Sequence, residues 1–265
     1  MPSEQRAQAN VLLHPDLVWH GRRFVADHVV EVCADGTIGR VEPITASSVD
    51  ASAATRLPRR ALLPGFINAH SHAFQRGLRG HGERFPRGAG SFWTWREAMY
   101  RLVDSLDEER AYALSRRAFE EMLDAGITTV GEFHYIHHGP RERFELDRAV
   151  CRAATDAGIR LVLLQTHYRT GGIDRPLAGG QLRFDTESVS RYWESVDALL
   201  AFIDPTLQSV GAVAHSVRAV PREEIAALRE AARRRELVFH IHVEEVRGEI
   251  EECMARYGLR PMELL

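Results

Sequence analysis

From residue 61 onward the chain repeats one unit: a short apolar run that stops at a histidine, then an amphipathic segment of helical period. The runs fall near residues 66–72, 127–134, 159–167, 209–215 and 237–242. Between them, "DEERAYALSRRAFEEMLDAG" and "PREEIAALREAARRR" space their apolar residues three and four apart, as one helix face requires. "DAGI" occurs at 124–127 and again at 156–159, so the same helix-to-strand hinge appears twice, with glycine as the stop. Pro221 is placed for a first helical turn. Strands and helices alternating in this way join by right-handed crossovers into a parallel sheet covered by helices. A (β/α)8 barrel or an open α/β sheet satisfies the pattern, and both keep their active sites at the C-terminal strand ends.

Each of the five runs carries a histidine at that end: His70 and His72, His134, His167, His215, and His240 with His242. The expectation is that all of them gather on one face. The first 60 residues have another texture. "NVLLHPDLVWHG", "RFVADHVVEVCADG" and "TIGRVEP" read as short strands, with a hairpin turn at Asp35-Gly36. "ITASSVDASAATRLPRR" reads as a polar surface connection. The domains expected are therefore 1–60, part of a small β-structure, and 61–265, the βα units.

His-x-His by itself is weak, since 13 histidines in 265 positions give roughly 0.6 such pairs by chance. Its position strengthens it. In a strand, residues i and i+2 point the same way, so His70 and His72 can share one cation. Imidazole suits zinc, iron and related divalent ions, and a third ligand from another strand end leaves an open catalytic position. His242 is the best third ligand, because Glu245 follows three residues on and can face the same cavity. His240 lies one layer deeper and reads as structural or supporting, whereas Glu244 points away by period.

Composition excludes several other classes. A formal charge of −3, with no basic stripe, argues against a nucleic-acid or membrane-surface binder. No apolar run approaches a membrane span and no secretory h-region opens the chain, so a cytoplasmic location is expected. Cys33, Cys151 and Cys253 are too few and scattered for a disulfide framework or a cysteine zinc site. All 34 basic residues are arginine, so neither a Schiff-base lysine nor a lysine metal bridge is available.

"LLPGFINAHSH" resembles the signature of the amidohydrolase superfamily, metal-dependent hydrolases built on a (β/α)8 barrel beside a small β-sandwich. The resemblance covers essentially the whole chain. It implies one divalent ion, zinc with iron or manganese as alternatives, on His70, His72 and His242, and it makes Glu245 the proton shuttle of a mononuclear deaminase. "NAHSHAFQRGLRG", "SFWTWREAMYRL", "GITTVGEFHYIHH", "AHSVRAV" and "HIHVEE" together are similar to the formimidoylglutamate deiminases of histidine degradation. That narrower resemblance implies a small-molecule substrate with two carboxylates, bound by Gln75, Arg96, Tyr135, His215 and Arg218, and a homodimer at full length. Trp93 and Trp95 are candidates for the pocket wall. His134, His137, His138 and His167 receive no role.

The pattern also departs from the family. Units of about 43 residues give five βα units here, whereas the barrel needs eight. The family's strand-six histidine and strand-eight aspartate have no counterpart. The chain is therefore expected to be an N-terminal part of a longer deiminase, inactive alone. Two alternatives stay open: another mononuclear deaminase acting on a purine, pyrimidine or triazine-like amidine, and a non-catalytic remnant.

Overall fold

A computed structural model describes residues 10–46, 48–81 and 92–265, with the side chains of residues 92–94 left aside. Contacts divide the chain into two units, Met1–Gly65 and Phe66–Leu265.

In the first unit, β1 (Val11–His20) pairs antiparallel with both β2 (Arg23–Ala26) and β3 (His28–Val32), and β3 pairs with β4 (Ile38–Pro43). The turn at Asp35-Gly36 forms as expected, with Asp35 accepting from the Thr37 N–H and Gly36 at φ 83°. The expected connection after Pro43 is overturned in part. Thr55–Leu62 is a fifth strand, β5, parallel to β1. The pairing breaks between Leu57 and Ala61, where Pro58 cannot donate and Arg59, at φ 58°, gives its N–H to Asp16. An exposed, arginine-rich strand with a bulge has little apolar alternation to reveal it.

The second unit follows the sequence closely. Five parallel strands, β6 (Phe66–Ser71), β7 (Ile127–His134), β8 (Arg160–His167), β9 (Gln208–Ser216) and β10 (Phe239–His242), lie in chain order. Helices α1 (Phe92–Asp104), α2 (Glu108–Asp124), α3 (Glu145–Ala157), α4 (Val189–Phe202), α5 (Arg222–Arg234), α6 (Arg247–Tyr257) and α7 (Pro261–Leu264) connect them or follow the last. Asp107 caps α2 through the Arg110 N–H, and Glu108 and Glu109 complement its dipole. The repeated hinge is real, because Gly126 and Gly158 both take left-handed backbone after their helices.

Both faces of the sheet are buried. Val130, Leu161, Leu163, Val210, Ala212 and Ala214 pack against Phe119, Val150, Val196 and Leu228 of the helices. The alternate residues Phe133, Leu164 and Val213 form a second core with Phe74, Leu102, Tyr135 and Phe184. Each fully buried leucine contributes about 1.5–3 kcal/mol, which locks the register of its strand. Among the described residues no helix is long and apolar enough to cross a membrane.

Candidate metal centre and its cavity

β6 and β10 stand at opposite ends of the sheet order, yet their final histidines meet. His70 Nε2 lies 3.2 Å from His72 Nε2 and 3.2 Å from His242 Nε2, so the sheet curls about an axis. Zinc–nitrogen bonds of 2.0–2.1 Å would set tetrahedral ligands about 3.3 Å apart, which this spacing matches. His72 donates its Nδ1–H to the Phe133 carbonyl at 2.8 Å, so its Nε2 keeps a free lone pair. Burial pushes His72 down to about 4. Burial, then the neighbouring His72 and His70, push His242 down to about 3. Burial also lowers His70. All three are thus neutral at pH 7, the form that binds metal. The Phe133 ring stacks on His242 with centroids 3.9 Å apart and packs edge-on or tilted against the other two.

A cavity of about 210 Å³ adjoins the histidines. Of the residues that the sequence put forward, His72, His242, Gln75, Arg96, Tyr135, His215, Arg218 and Glu245 line it, while His70 stands just behind, beside His72 and His242. Trp95 lies on its wall, whereas the side chain of Trp93 is outside the described residues. Gln75 donates to the Tyr135 hydroxyl at 3.3 Å, and Arg96 Nε donates to the Tyr100 hydroxyl at 2.9 Å. Arg218 donates to the Glu245 carboxylate, and its Nε is 3.6 Å from Glu249 Oε2. The same Glu249 oxygen accepts the Glu245 backbone N–H at 3.1 Å, so Glu245 is held at both its amide and its carboxylate. Burial keeps His215 well below the usual histidine range, hence neutral, and raises Tyr135 and Tyr168 (the latter to about 12), so both stay protonated donors.

Tyr100, Met99, Tyr168 and Phe184 also line the cavity and were missed. Tyr100 had a signal, since it sits one helical turn after Arg96. Glu244 turns away to Arg260 Nη2 at 2.5 Å, as its period predicted. His240 lies two residues before His242 on β10, close enough for its charge to act on His70.

The expectation that all five strand-end histidines share one face is corrected for two of them. His134 and His167 have the parity of Val130 and Leu163, which face the helices. His167 bonds Glu224 of α5 at 2.7 Å and Thr186 at 2.6 Å. His134 Nε2 lies 3.9 Å from Asp147 of α3. Together with His137, these two form a second group close enough to share an ion. Both ring nitrogens of His137 are already engaged, with Asp147 at 2.9 Å and the Thr166 carbonyl at 2.7 Å, whereas His134 Nε2 has no hydrogen-bond partner among the described residues. His138 bonds the Asp185 carbonyl at 2.7 Å. A larger cleft of about 470 Å³, lined by Glu108, Tyr112, Arg152 and Asp156, contains no histidine.

The chain is similar to several known proteins. A formimidoylglutamate deiminase from Pseudomonas aeruginosa is 40% identical over 241 residues, covering 89% of this chain and 52% of the relative. A 5-methylthioadenosine/S-adenosylhomocysteine deaminase from Thermodesulfovibrio yellowstonii is 28% identical, covering 77% of this chain and 42% of its own length. The chain thus spans about half the length of the curated relatives it matches. The crystal structure of an amidohydrolase from Brucella melitensis has a TM-score of 0.83 and 31% identity, over 96% of this chain and 56% of that one. Residues 61–264, which carry all three histidines and the cavity, match the profile of the amidohydrolase family, and the chain belongs to that family.

Proposed function

We propose that this cavity serves the hydrolysis of N-formimino-L-glutamate to N-formyl-L-glutamate and ammonia, with one zinc ion held by His70, His72 and His242. The observation that carries the reading is two guanidinium groups, Arg96 and Arg218, on the wall of a small cavity that also holds the histidines. A planar arginine fork matches a carboxylate, and this substrate has two. The Pseudomonas aeruginosa relative supports the same choice.

When bound, a divalent ion there supplies the Lewis acidity that makes water nucleophilic near neutral pH. The protein does the rest. Glu245 receives water's protons at a carboxylate oxygen and passes them in turn to the imino nitrogen. The carbon–nitrogen bond breaks, ammonia leaves, and the oxygen stays as the formyl group. Arg218 and the Glu249 carboxylate fix the orientation of Glu245 for that transfer. Gln75, Tyr135 and the neutral His215 provide hydrogen-bonding groups around the amidine.

A second reading is favoured by the cavity's aromatic wall, with Trp95, Tyr100, Tyr135, Tyr168 and Phe184, which suits a flat heterocyclic amidine. Calorimetric titration of the zinc-loaded protein separates the two. N-formyl-L-glutamate is expected to bind, and Arg96→Met or Arg218→Met to weaken it about tenfold or more. Adenosine binding without N-formyl-L-glutamate binding would replace the first reading with the second.

A further inference from the structure

Strand β7 gives no ligand to the three-histidine centre, yet three of its consecutive residues touch the segment that does. β6 loses register with β7 between Asn68 and Ser71, the stretch that contains His70. There the Ala69 carbonyl leans onto Gly131, where a Cβ would stand only 2.7 Å from that oxygen. Any side chain at 131 would push the strand, and His70 with it, outward. Glu132 follows. It is 1% exposed, and its Oε1 accepts the Ala73 N–H at 2.6 Å, while its Oε2 has no hydrogen-bond partner among the described residues. Ser71 and Ala73 flank His72, whose backbone, at φ −128° and ψ 79°, belongs to neither helix nor strand. Phe133 comes third. Its carbonyl takes the His72 Nδ1–H, and its ring packs against all three histidines.

We infer that Gly131-Glu132-Phe133 is the template on which the metal ligands are set, with Glu132 as the positioning residue that fixes the backbone just after His72. Burying a carboxylate with no ion-pair partner among the described residues is costly, and an apolar residue would suit the sheet better. What the carboxylate adds is an acceptor at the one amide that a bulged strand leaves facing it. His72 is then held at two points, its ring by Phe133 and the amide beyond it by Glu132. An imidazole so fixed presents Nε2 without losing rotamer freedom when metal binds.

The inference rests on reading His70, His72 and His242 as ligands of one ion, so the test reads metal binding rather than turnover. Zinc affinity is measured by competition with a chromophoric chelator, and ligand geometry by the visible bands of the cobalt(II)-loaded protein. Glu132→Ala is expected to weaken zinc about 10–100-fold and to shift the cobalt bands, with cooperative thermal unfolding retained. Glu132→Gln keeps an acceptor oxygen for the Ala73 N–H and should recover most of that loss. Phe133→Leu, which keeps the carbonyl but removes the ring, should cost about tenfold. A folded Glu132→Ala with the affinity and bands of the unaltered protein overturns the template. If Glu132→Ala does not fold, Phe133→Leu decides: unchanged affinity and bands overturn it, and the expected loss supports it. Absence of zinc binding in the unaltered protein, or unchanged binding in His72→Ala, would overturn the metal centre itself and the template with it.

Discussion

Two clusters of histidines sit at the same level of one sheet, and they are opposites. In the first, His70 Nε2 lies 3.2 Å from the Nε2 atoms of both His72 and His242. At His137 both ring nitrogens face oxygen, the Asp147 carboxylate and the Thr166 carbonyl. Proximity is common to both. The difference is what each nitrogen is offered: among the described residues the converging atoms of the first cluster face only one another, whereas His137 in the second is satisfied by its own fold. Histidines become candidates for chemistry where the protein leaves their lone pairs without a donor of its own.

The contrast can be broken most sharply by metal binding. His72→Ala should lower zinc affinity about 1000-fold, a quarter or so of the free energy of a full site, as read by chelator competition. Asp147→Asn should leave that affinity alone and instead lower stability by about 3–5 kcal/mol in urea unfolding, because a wholly buried partner of His137 loses its charge. Zinc lost from Asp147→Asn with stability intact would reverse the two assignments.

Acid sharpens the comparison further. Burial is the main cause that holds His72, His134 and His138 at about 4 and His242 at about 3, against an ordinary value of 6.5. Between those values the unfolded chain takes up protons that the folded chain refuses, so stability must fall as pH drops from 6.5 toward 4. Glu132, raised by burial to about 7, opposes this as pH falls from 7 toward 4.5, and so does Glu249, but burial also lowers His70, His167 and His215, so the histidines prevail. The melting temperature of the metal-free protein should therefore decline across that window. The increment that zinc adds should persist to about pH 5, because His72 and His242 stay neutral there. The smallest effect is expected at Glu244. Its partner is the exposed Arg260, so Glu244→Ala should change neither zinc affinity nor ligand binding, whereas Glu245→Ala should abolish turnover wherever turnover is measured.

Much of this arrangement was legible in the residues. The β8 run expected at 159–167 forms at Arg160–His167, and β7 matches its expected 127–134. The histidines of the centre, Glu245 and most of the cavity's polar residues converge because strand ends and the segments just after them carry them, while Arg96 comes from helix α1. What was not legible has a physical cause in each case. Parallel strands buried on both faces read as continuous apolar runs, so nothing local tells which parity faces the cavity; His134 and His167 were misplaced for that reason. Knowing one inward residue settles the rest, since Tyr135 inside requires Phe133 inside and His134 outside. The Arg218–Glu245 contact joins residues 27 apart through the turn after β9 and the end of β10, beyond any periodicity. β5 was hidden by a proline, a bulge and solvent-facing arginines.

The alternation at the strand ends bears on how such a cavity can change over generations. β7 and β8 each finish in the same dipeptide, His134-Tyr135 and His167-Tyr168, with the histidine toward the helices and the tyrosine in the cavity. Replacing a tyrosine alters one wall contact. Removing one residue before either dipeptide would instead exchange the pair, bringing an imidazole inward and sending a phenol out among the helices. The lineage therefore has two very different step lengths available at these positions. Substitutions tune which ligand fits, while a single-codon deletion would place a further potential metal ligand beside the ones already there.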